Sequence, residues 1–497
     1  MKRVPNRSLR ATAAWQVQSG FGRSVRAACR TVAPGSIDEL AEVFRLARSE
    51  GLSVAFRGAG RSYGDAAMNR EGLVVDLRQL DGMLAWDPQA GIAEVRGGLT
   101  MEGLWRRTIQ DGFWPAVVPG TMFPTLAGCA SMNVHGKNNF AAGPFGEHVL
   151  ELELLTAKGE TLRCSPTENP EVFTAAIGGL GMLGAITRLK LQLKKVHSGR
   201  LRVTPVAAPN LEAMFDAFEA RLPRADYLVG WLDSFPRGAG LGRGVIHQAN
   251  YLHAGEDPDG AAWLNVERQG LPPSIFGFPK HQIWRVLRLF RSKPTWRLVN
   301  AAQYQKAAWG SKRPYLQSHV AFAFLLDYVP NWRLAYGREG FIQIQIFVPH
   351  AAARETFRDV LRIAHDHGEP SFLSVMKRHR PDGFLLTHAL DGWSLAMDHR
   401  VTARNREEIW KLAHDVHQRV RAAGGKFYFA KDAALRPDDV LQSYGAQTLS
   451  RFSAIKRRLD PDGLFASDLV RRVLPQLALD RSPEAVAPDP SADVSRA

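Results

Sequence analysis

The sequence predicts an α+β protein, and three observations carry that prediction. At 497 residues the chain exceeds what one ordinary core accommodates, so two to three domains are expected. Short strand-like runs are separated by turns and Gly-rich loops more often than by helices, which argues against a regular βαβ repeat. A second set of alternating runs then begins near residue 200, with its own amphipathic helices.

The elements follow in order. SIDELAEVFRLARSEG (36–51) reads as a helix, with Ser36 as its N-cap and Gly51 beyond its end. LSVAF, GLVVDL, IAEVRGG and LELLTAKGETLRCS read as short strands with turns, and this pattern runs to about residue 195. DYLVGWLDSF, GFIQIQIFVP, SFLSVMKRH and WSLAMDHRV read as strands of a second sheet. AARETFRDVLRIAHDHG and REEIWKLAHDVHQRVRAAGG supply helices beside it. The expected division is 1–195 for the first domain, 196–414 for the second and 415–475 for a return to the first. Residues 476–497, rich in Ala, Pro, Ser and Asp, read as a disordered tail.

Composition narrows the class. Hydrophobic residues at 45% and charged residues at 23% are those of a soluble globular protein. Cys29, Cys129 and Cys164 show neither a CxxC pair nor metal-ligand spacing, so buried inert thiols are expected and no metal site. MKRVPNRSLRATAAW is basic but lacks the apolar run of a signal peptide, and no stretch approaches the roughly 20 apolar residues of a membrane span. A cytoplasmic protein is the expectation.

A formal charge of +15 asks for an acidic partner, and the charge is concentrated. From Arg268 to Leu326 there is no Asp or Glu, while ten Lys or Arg occur. Within it, Trp284, Leu287, Phe290 and Trp296 interleave with Arg285, Arg288, Arg291, Lys293 and Arg297 at three- and four-residue steps. Two readings stand: an interfacial helix meeting anionic lipid, or a core helix with a solvated basic face. No nucleic-acid signature accompanies the segment, so that partner is not expected.

Arg57, Gly58, Ala59, Gly60, Arg61, Ser62, Tyr63, Gly64 and Asp65 follow a strand, but the spacing is GxGxxxG and no helix follows. A dinucleotide site of the doubly wound type needs that helix N-terminus for its pyrophosphate, so that reading fails. Successive backbone N–H groups can still form an anion nest. Pro119-Gly120-Thr121, the Gly128–Lys137 run and Gly178-Gly179-Leu180-Gly181 add three more backbone-exposing segments. Several glycine loops suit the close approach of a large diphosphate ligand.

The set GAGRSYGD, VVPGT, HGKN with GPFGEHV, GGLGMLG and the late YFAKD…DPDGLFASD resembles the vanillyl-alcohol-oxidase type of FAD enzyme. Within it, the set resembles the oxidase subunits of decaprenylphosphoryl-β-D-ribose 2′-epimerase, over about residues 20–473. The resemblance implies a two-domain PCMH-type FAD-binding fold with a separate antiparallel-sheet substrate domain. It assigns Arg57 to Asp65 to FAD, with Gly120 and Thr121 near it, and adds Gly128, Cys129, Asn133, His135, Gly136, Lys137, Asn138, Gly143, Ile186 and Tyr428. Covalently flavinylated relatives carry His before Ser in the first loop; Arg61-Ser62 here implies noncovalent FAD.

Such enzymes oxidise the ribose 2′-hydroxyl of a polyprenyl-phosphoryl sugar to a ketone, and a short-chain NAD(P)-dependent reductase partner completes the epimerisation, which serves arabinan and cell-wall biogenesis. Lys431 matches the family lysine near flavin and substrate, as a proton acceptor or as a charge that polarises the hydroxyl. His135 and Lys137 match residues beside the flavin, while Tyr63, Gln343, Gln345 and Lys377 match residues of the substrate pocket. Gln343 and Gln345 share one strand face by alternation. Trp231 either stacks on a sugar or fills the core, with the core favoured, and Glu147 and His148 support their loop. Ala396 and Ser394 stand where close mycobacterial relatives carry Cys and Asn, which implies loss of sensitivity to thiol-capturing inhibitors and leaves the exact sugar open. A lipid substrate favours the interfacial reading of the basic insertion near 268–313 and a peripheral place at the inner face of the membrane. An aldonolactone or sugar-alcohol oxidase on a soluble substrate is the alternative.

Overall fold

The structure is a computed structural model that describes residues 13–275 and 277–478. β1 (Ala14–Ser19), β2 (Arg26–Val32), β3 (Val54–Arg57) and β4 (Leu73–Asp76) form a four-stranded sheet in the order β1-β2-β4-β3. α1 (Ile37–Ser49) begins where expected: the Ser36 hydroxyl accepts from the Glu39 N–H at 3.1 Å, and Gly51 takes a φ of 65° just past the end. β1 and β2 were not expected from the sequence: β2 lacks a clean alternation, and β1 alternates but turns Trp15 and Val17 outward and buries Gln18.

β5 (Met83–Asp87), β6 (Ile92–Arg96), β7 (Phe113–Pro115), β8 (Val149–Leu155), β9 (Thr161–Cys164) and β10 (Ala185–Lys195) form a six-stranded sheet with the long β10 at its centre. α2 (Leu126–Ser131) packs on β10. The three cysteines are buried and unpaired, as expected.

The third sheet holds the far wall of the site. β11 (Arg200–Ala208), β12 (Tyr227–Leu232) and β13 (Gly244–Tyr251) come first; a small hairpin of β14 (Ser274–Ile275) and β15 (Phe278–Pro279) stands apart. β16 (Tyr315–Ser318), β17 (Phe341–Pro349), β18 (Leu373–His379), β19 (Gly392–Arg400) and β20 (Lys426–Phe427) complete eight strands in the order β16-β11-β13-β12-β18-β19-β17-β20. On one face, Trp393 lies 4.9 Å from Phe215 and 5.3 Å from Phe218 of α3 (Leu211–Glu219). The same apolar layer takes in Ile342, Ile344 and Ile346, each buried side chain contributing roughly 1.5–3 kcal/mol. Period-2 alternation therefore turns Gln343, Gln345, Val375, Lys377, Ser394, Ala396 and Asp398 to the opposite face. The register aligns Gln343 with Asp398, Gln345 with Ala396, and Lys377 with Ser394.

The basic segment is not one continuous amphipathic helix. Short helical turns over Ile283–Phe290 end before Ser292, which caps α4 (Lys293–Trp309) with Pro294 in its first turn. Trp296 turns inward, stacks on Phe372 at 5.2 Å and donates its Nε1–H to the Phe372 carbonyl at 2.6 Å. Trp284 and Leu287 are half-buried, whereas Leu289, Leu298 and Trp309 are 78%, 70% and 83% exposed. The outward apolar set is thus largely different from the set read from the spacing, because the helix breaks and restarts.

No helix among the described residues is long and apolar enough to cross a membrane. The N-terminal twelve residues and, of the tail expected to be disordered, residues 479–497 lie outside the described residues. The tail's first residues are ordered: Pro475–Leu477 forms a short turn and Leu477 is buried.

Candidate active site

A cavity of about 480 Å³ lies between the Gly loops and the third sheet. Its wall includes Gly58 to Tyr63, Gly120, Thr121, Gly128, His135, Lys137, Ile186, Gln343, Gln345, Lys377, Tyr428 and Lys431. Backbone contacts bring the first loop and the late YFAKD turn together. The Phe21 N–H donates to the Ser62 carbonyl at 2.8 Å, and the Tyr63 N–H donates to the Ala430 carbonyl at 2.8 Å. A Cβ on Gly64 would stand 1.8 Å from the Asp432 carbonyl oxygen, so only glycine permits this approach. Arg472 clamps the same junction, with its Nη2 2.7 Å from Asp65 and 2.8 Å from Asp432.

Lys431 places its Nζ 3.5 Å from the centre of the Tyr63 ring. Burial holds its ammonium well below the usual lysine range; the Asp398 carboxylate opposes that shift and Lys377 adds to it. Burial pushes the Asp398 carboxyl up, against the Gln343 amide that donates to it and the charge of Lys431. Tyr336 donates its hydroxyl to Asp398 at 3.3 Å. Burial, then the charge of Asp398, drives the Tyr63 phenol well above its ordinary range, so Tyr63 stays protonated.

A second group sits beside it. His135 Nε2 lies 2.8 Å from the Gln345 amide nitrogen, and its Nδ1 lies 3.3 Å from Lys377 Nζ. Burial lowers Lys377 to about 8. An ammonium can only donate, so a charged Lys377 makes Nδ1 an acceptor, moves the His135 proton to Nε2 and turns the Gln345 amide oxygen toward it. His379 bonds Ser394 Oγ at 2.7 Å and Asn139 Oδ1 at 2.9 Å. Burial, reinforced by neighbouring lysines, keeps His135, His379 and His388 neutral.

Eight of the expected cofactor residues stand behind the wall and shape it from there. Arg57 donates to the Ala67 and Ser19 carbonyls, both at 3.3 Å. Gly64 and Asp65 form the junction described above. Cys129 is buried inside α2, where burial drives its thiol up. Asn133 accepts from the Gly146 N–H at 3.0 Å, Gly136 packs on Asn138, and Asn138 donates to the Ala116 carbonyl at 2.8 Å. Gly143, at a φ of 70°, ends a helical turn. Lys137 reaches the wall, but its Nζ is tied to the Phe322 and Ala323 carbonyls, the latter at 2.9 Å. His148 bonds the Ala142 carbonyl and Glu147 pairs with Arg380, so both hold their loop. Trp231 is buried beside Val375 and does not reach the wall.

Several wall residues carried no sequence signal. Phe21 precedes every motif, and Leu325–Asp327 with Val329–Arg333 form a strap along the wall. Asp398, just behind the wall, was legible in principle, because it shares the strand face of Ser394 and Ala396.

Residues 29–165 match the family model described as an FAD binding domain. Over 463 residues the chain is 29% identical to the decaprenylphosphoryl-beta-D-ribose oxidase of Mycolicibacterium smegmatis, covering 91% of this chain and 96% of that one. The chain is an FAD-dependent oxidoreductase. Two further relatives are named as an oxidase and a dehydrogenase. A putative D-arabinono-1,4-lactone oxidase of Neurospora crassa is 24% identical over 482 residues, spanning 89% of this chain and 83% of that one. Cytokinin dehydrogenase 7 of Oryza sativa subsp. japonica is 35% identical over 206 residues, 39% of each chain.

The cavity fits FAD on structural grounds. The loops 58–63 and 120–121 present backbone to it, and Arg61 keeps its Nε buried without a hydrogen-bond partner, a donor suited to a diphosphate. Ile186, Met132 and Tyr428 add an apolar floor from beyond the first loop.

Proposed function

We propose that this flavoenzyme oxidises the 2′-hydroxyl of a polyprenyl-phosphoryl-β-D-ribose to the 2′-keto sugar, the first half of an epimerisation to the arabinose form for cell-envelope polysaccharide. The observation that carries the reading is the placement of Lys431, Tyr63 and Gln343 in the same cavity as the FAD-binding loops. The similarity to the mycobacterial ribose oxidase along 91% of the chain supports the substrate.

Bound noncovalently, FAD supplies the acceptor for the hydride of the sugar C2–H. The chain supplies the proton chemistry. Burial favours the free amine of Lys431, so it takes the hydroxyl proton as the carbonyl forms. The resulting ammonium then faces the Asp398 carboxylate, which offsets its burial. Tyr63 packs against the lysine and Gln343 bridges to Asp398, fixing the amine in place. Gln345 and Lys377 line the adjoining wall as donors to the remaining sugar hydroxyls, with His135 holding both in place.

The exposed Phe278, Leu289, Leu298 and Trp309, set among Arg285, Arg288, Arg297 and Lys306, support docking on an anionic membrane at the inner face. The turn Ile283–Leu287 packs on Trp332–Tyr336, whose first two residues belong to the strap, so this surface adjoins the cavity wall. A short-chain NAD(P)-dependent reductase would complete the epimerisation by returning hydride to the opposite face. The Neurospora relative supports the second reading, oxidation of a soluble aldonolactone or sugar alcohol. Side-by-side turnover of polyprenyl-phosphoryl ribose and of aldonolactones, with trapping of the keto product, decides between them. A keto-ribosyl lipid as the preferred product supports the first; preference for the lactone overturns it.

A further inference from the structure

The strap along the cavity wall carries a cation with no partner of opposite charge among the described residues. It is latched to the glycine loop: the Leu326 N–H donates to the Gly120 carbonyl at 3.2 Å, and Asp327 accepts from Thr121 Oγ1 at 2.7 Å and from the Met122 N–H at 2.8 Å. Beyond Asn331, at a φ of 61°, the strap turns Trp332 and Arg333 into the cavity wall. The Arg333 guanidinium lies 4.9 Å from the Phe21 ring centre, and that of Arg61 lies 5.4 Å from the same ring.

Neither arginine forms an ion pair among the described residues. Arg333 makes one long hydrogen bond, to the Phe21 carbonyl at 3.4 Å, and the Nε of Arg61 has none. The charges acting on Arg333 are all cationic, from Arg61, Arg23 and Arg57. Arg23 and Arg57 have Glu339 and Asp76 as countercharges, and Asp327 faces Arg61. A half-buried guanidinium among three others is costly unless an anion joins them.

We propose that Arg333, beside the Arg61 donor left to the cofactor diphosphate, forms the subsite for the phosphate that joins the sugar to its lipid, and that Arg333 sets the preference for a phosphorylated sugar over a neutral one. This rests on the proposed oxidation of a lipid-phosphoryl sugar at the same site. The spacing suits it: Phe21, under both guanidiniums, lies 5.2 Å from the Tyr63 ring, and Lys431 lies 3.5 Å from Tyr63. The anion subsite and the reactive amine are thus separated by two rings in tilted contact, at an interplanar angle of 49°. The strap also borders the exposed apolar surface.

The test uses the FAD-loaded full chain with Arg333→Gln and Arg333→Lys. Substrates are polyprenyl-phosphoryl ribose and a riboside with the same tail but no phosphate, with flavin content read from absorbance. Arg333→Gln is expected to raise KM for the phosphorylated substrate about 10- to 150-fold, with a smaller change in kcat. Arg333→Lys should recover part of that loss, and the neutral riboside should change by less than about threefold. An unaltered KM overturns the proposal, as does an equal loss on both substrates, which would mean strap packing alone. Loss of flavin would assign the guanidinium to the cofactor diphosphate and also overturns it. Failure of the wild type to oxidise the phosphorylated sugar, with turnover of lactones, would instead refute the functional reading beneath.

Discussion

Replacing Lys431 by Met removes the amine while keeping a flexible apolar side chain of similar length. Asp398 then loses its cation, but burial already raises its carboxyl, so it takes up a proton and the fold holds. A positioned general base contributes about 10²- to 10⁴-fold, or roughly 3–5 kcal/mol of barrier, and kcat/KM should fall by that factor. The assay is flavin decay under anaerobic conditions, followed across pH. Because burial lowers the Lys431 pKa, the free amine grows as pH rises; wild-type kcat/KM therefore climbs through that pKa and then levels. Lys431→Met should be slow and should lack this limb. Lys431→Arg keeps a permanent positive charge that cannot accept a proton, so it should be equally slow. Near-normal rates in Lys431→Arg, or an ascending limb that survives in Lys431→Met, would refute the base role and leave Lys431 as a fixed charge.

Arg472→Leu should cost about 3–5 kcal/mol and release flavin, because Asp65 and Asp432 would face each other without their shared cation; thermal denaturation and flavin fluorescence read both. Lys377 deprotonates near pH 8 when folded and near 10.5 when unfolded, so between these values the unfolded chain binds more protons and stability rises with pH. Lys377→Met should lose that part of the slope in denaturant titrations between about pH 8 and 10.5, the window those two values bound. Leu298→Asp with Trp309→Asp should reduce co-sedimentation with anionic vesicles while leaving flavin content intact, and unaltered sedimentation would remove this surface from the membrane reading.

Much of the site was legible because its parts are local. The glycine loop, the HGKN run and the YFAKD turn are short segments, and strand alternation alone puts Gln343 and Gln345 on one face. What stayed hidden depends on contacts between distant segments. Arg57 and Asp65 look like ligand residues within GAGRSYGD, yet one is held by Ser19 and Ala67 and the other by Arg472, at the far end of the chain. The strap at Leu325–Arg333 has no periodicity and reads as a loop; only its latch to Gly120, Thr121 and Met122 makes it part of the cavity. The basic segment misled by spacing, since the break before Ser292 resets the helical phase and turns Trp296 inward.

The most direct measurement mixes the oxidised enzyme anaerobically with polyprenyl-phosphoryl ribose, protiated or deuterated at C2, and follows the flavin absorbance band. Bleaching that slows severalfold with deuterium is the predicted result, because the C2–H bond then breaks in the step that reduces the flavin. A band unchanged by this substrate but bleached by aldonolactones would contradict the account.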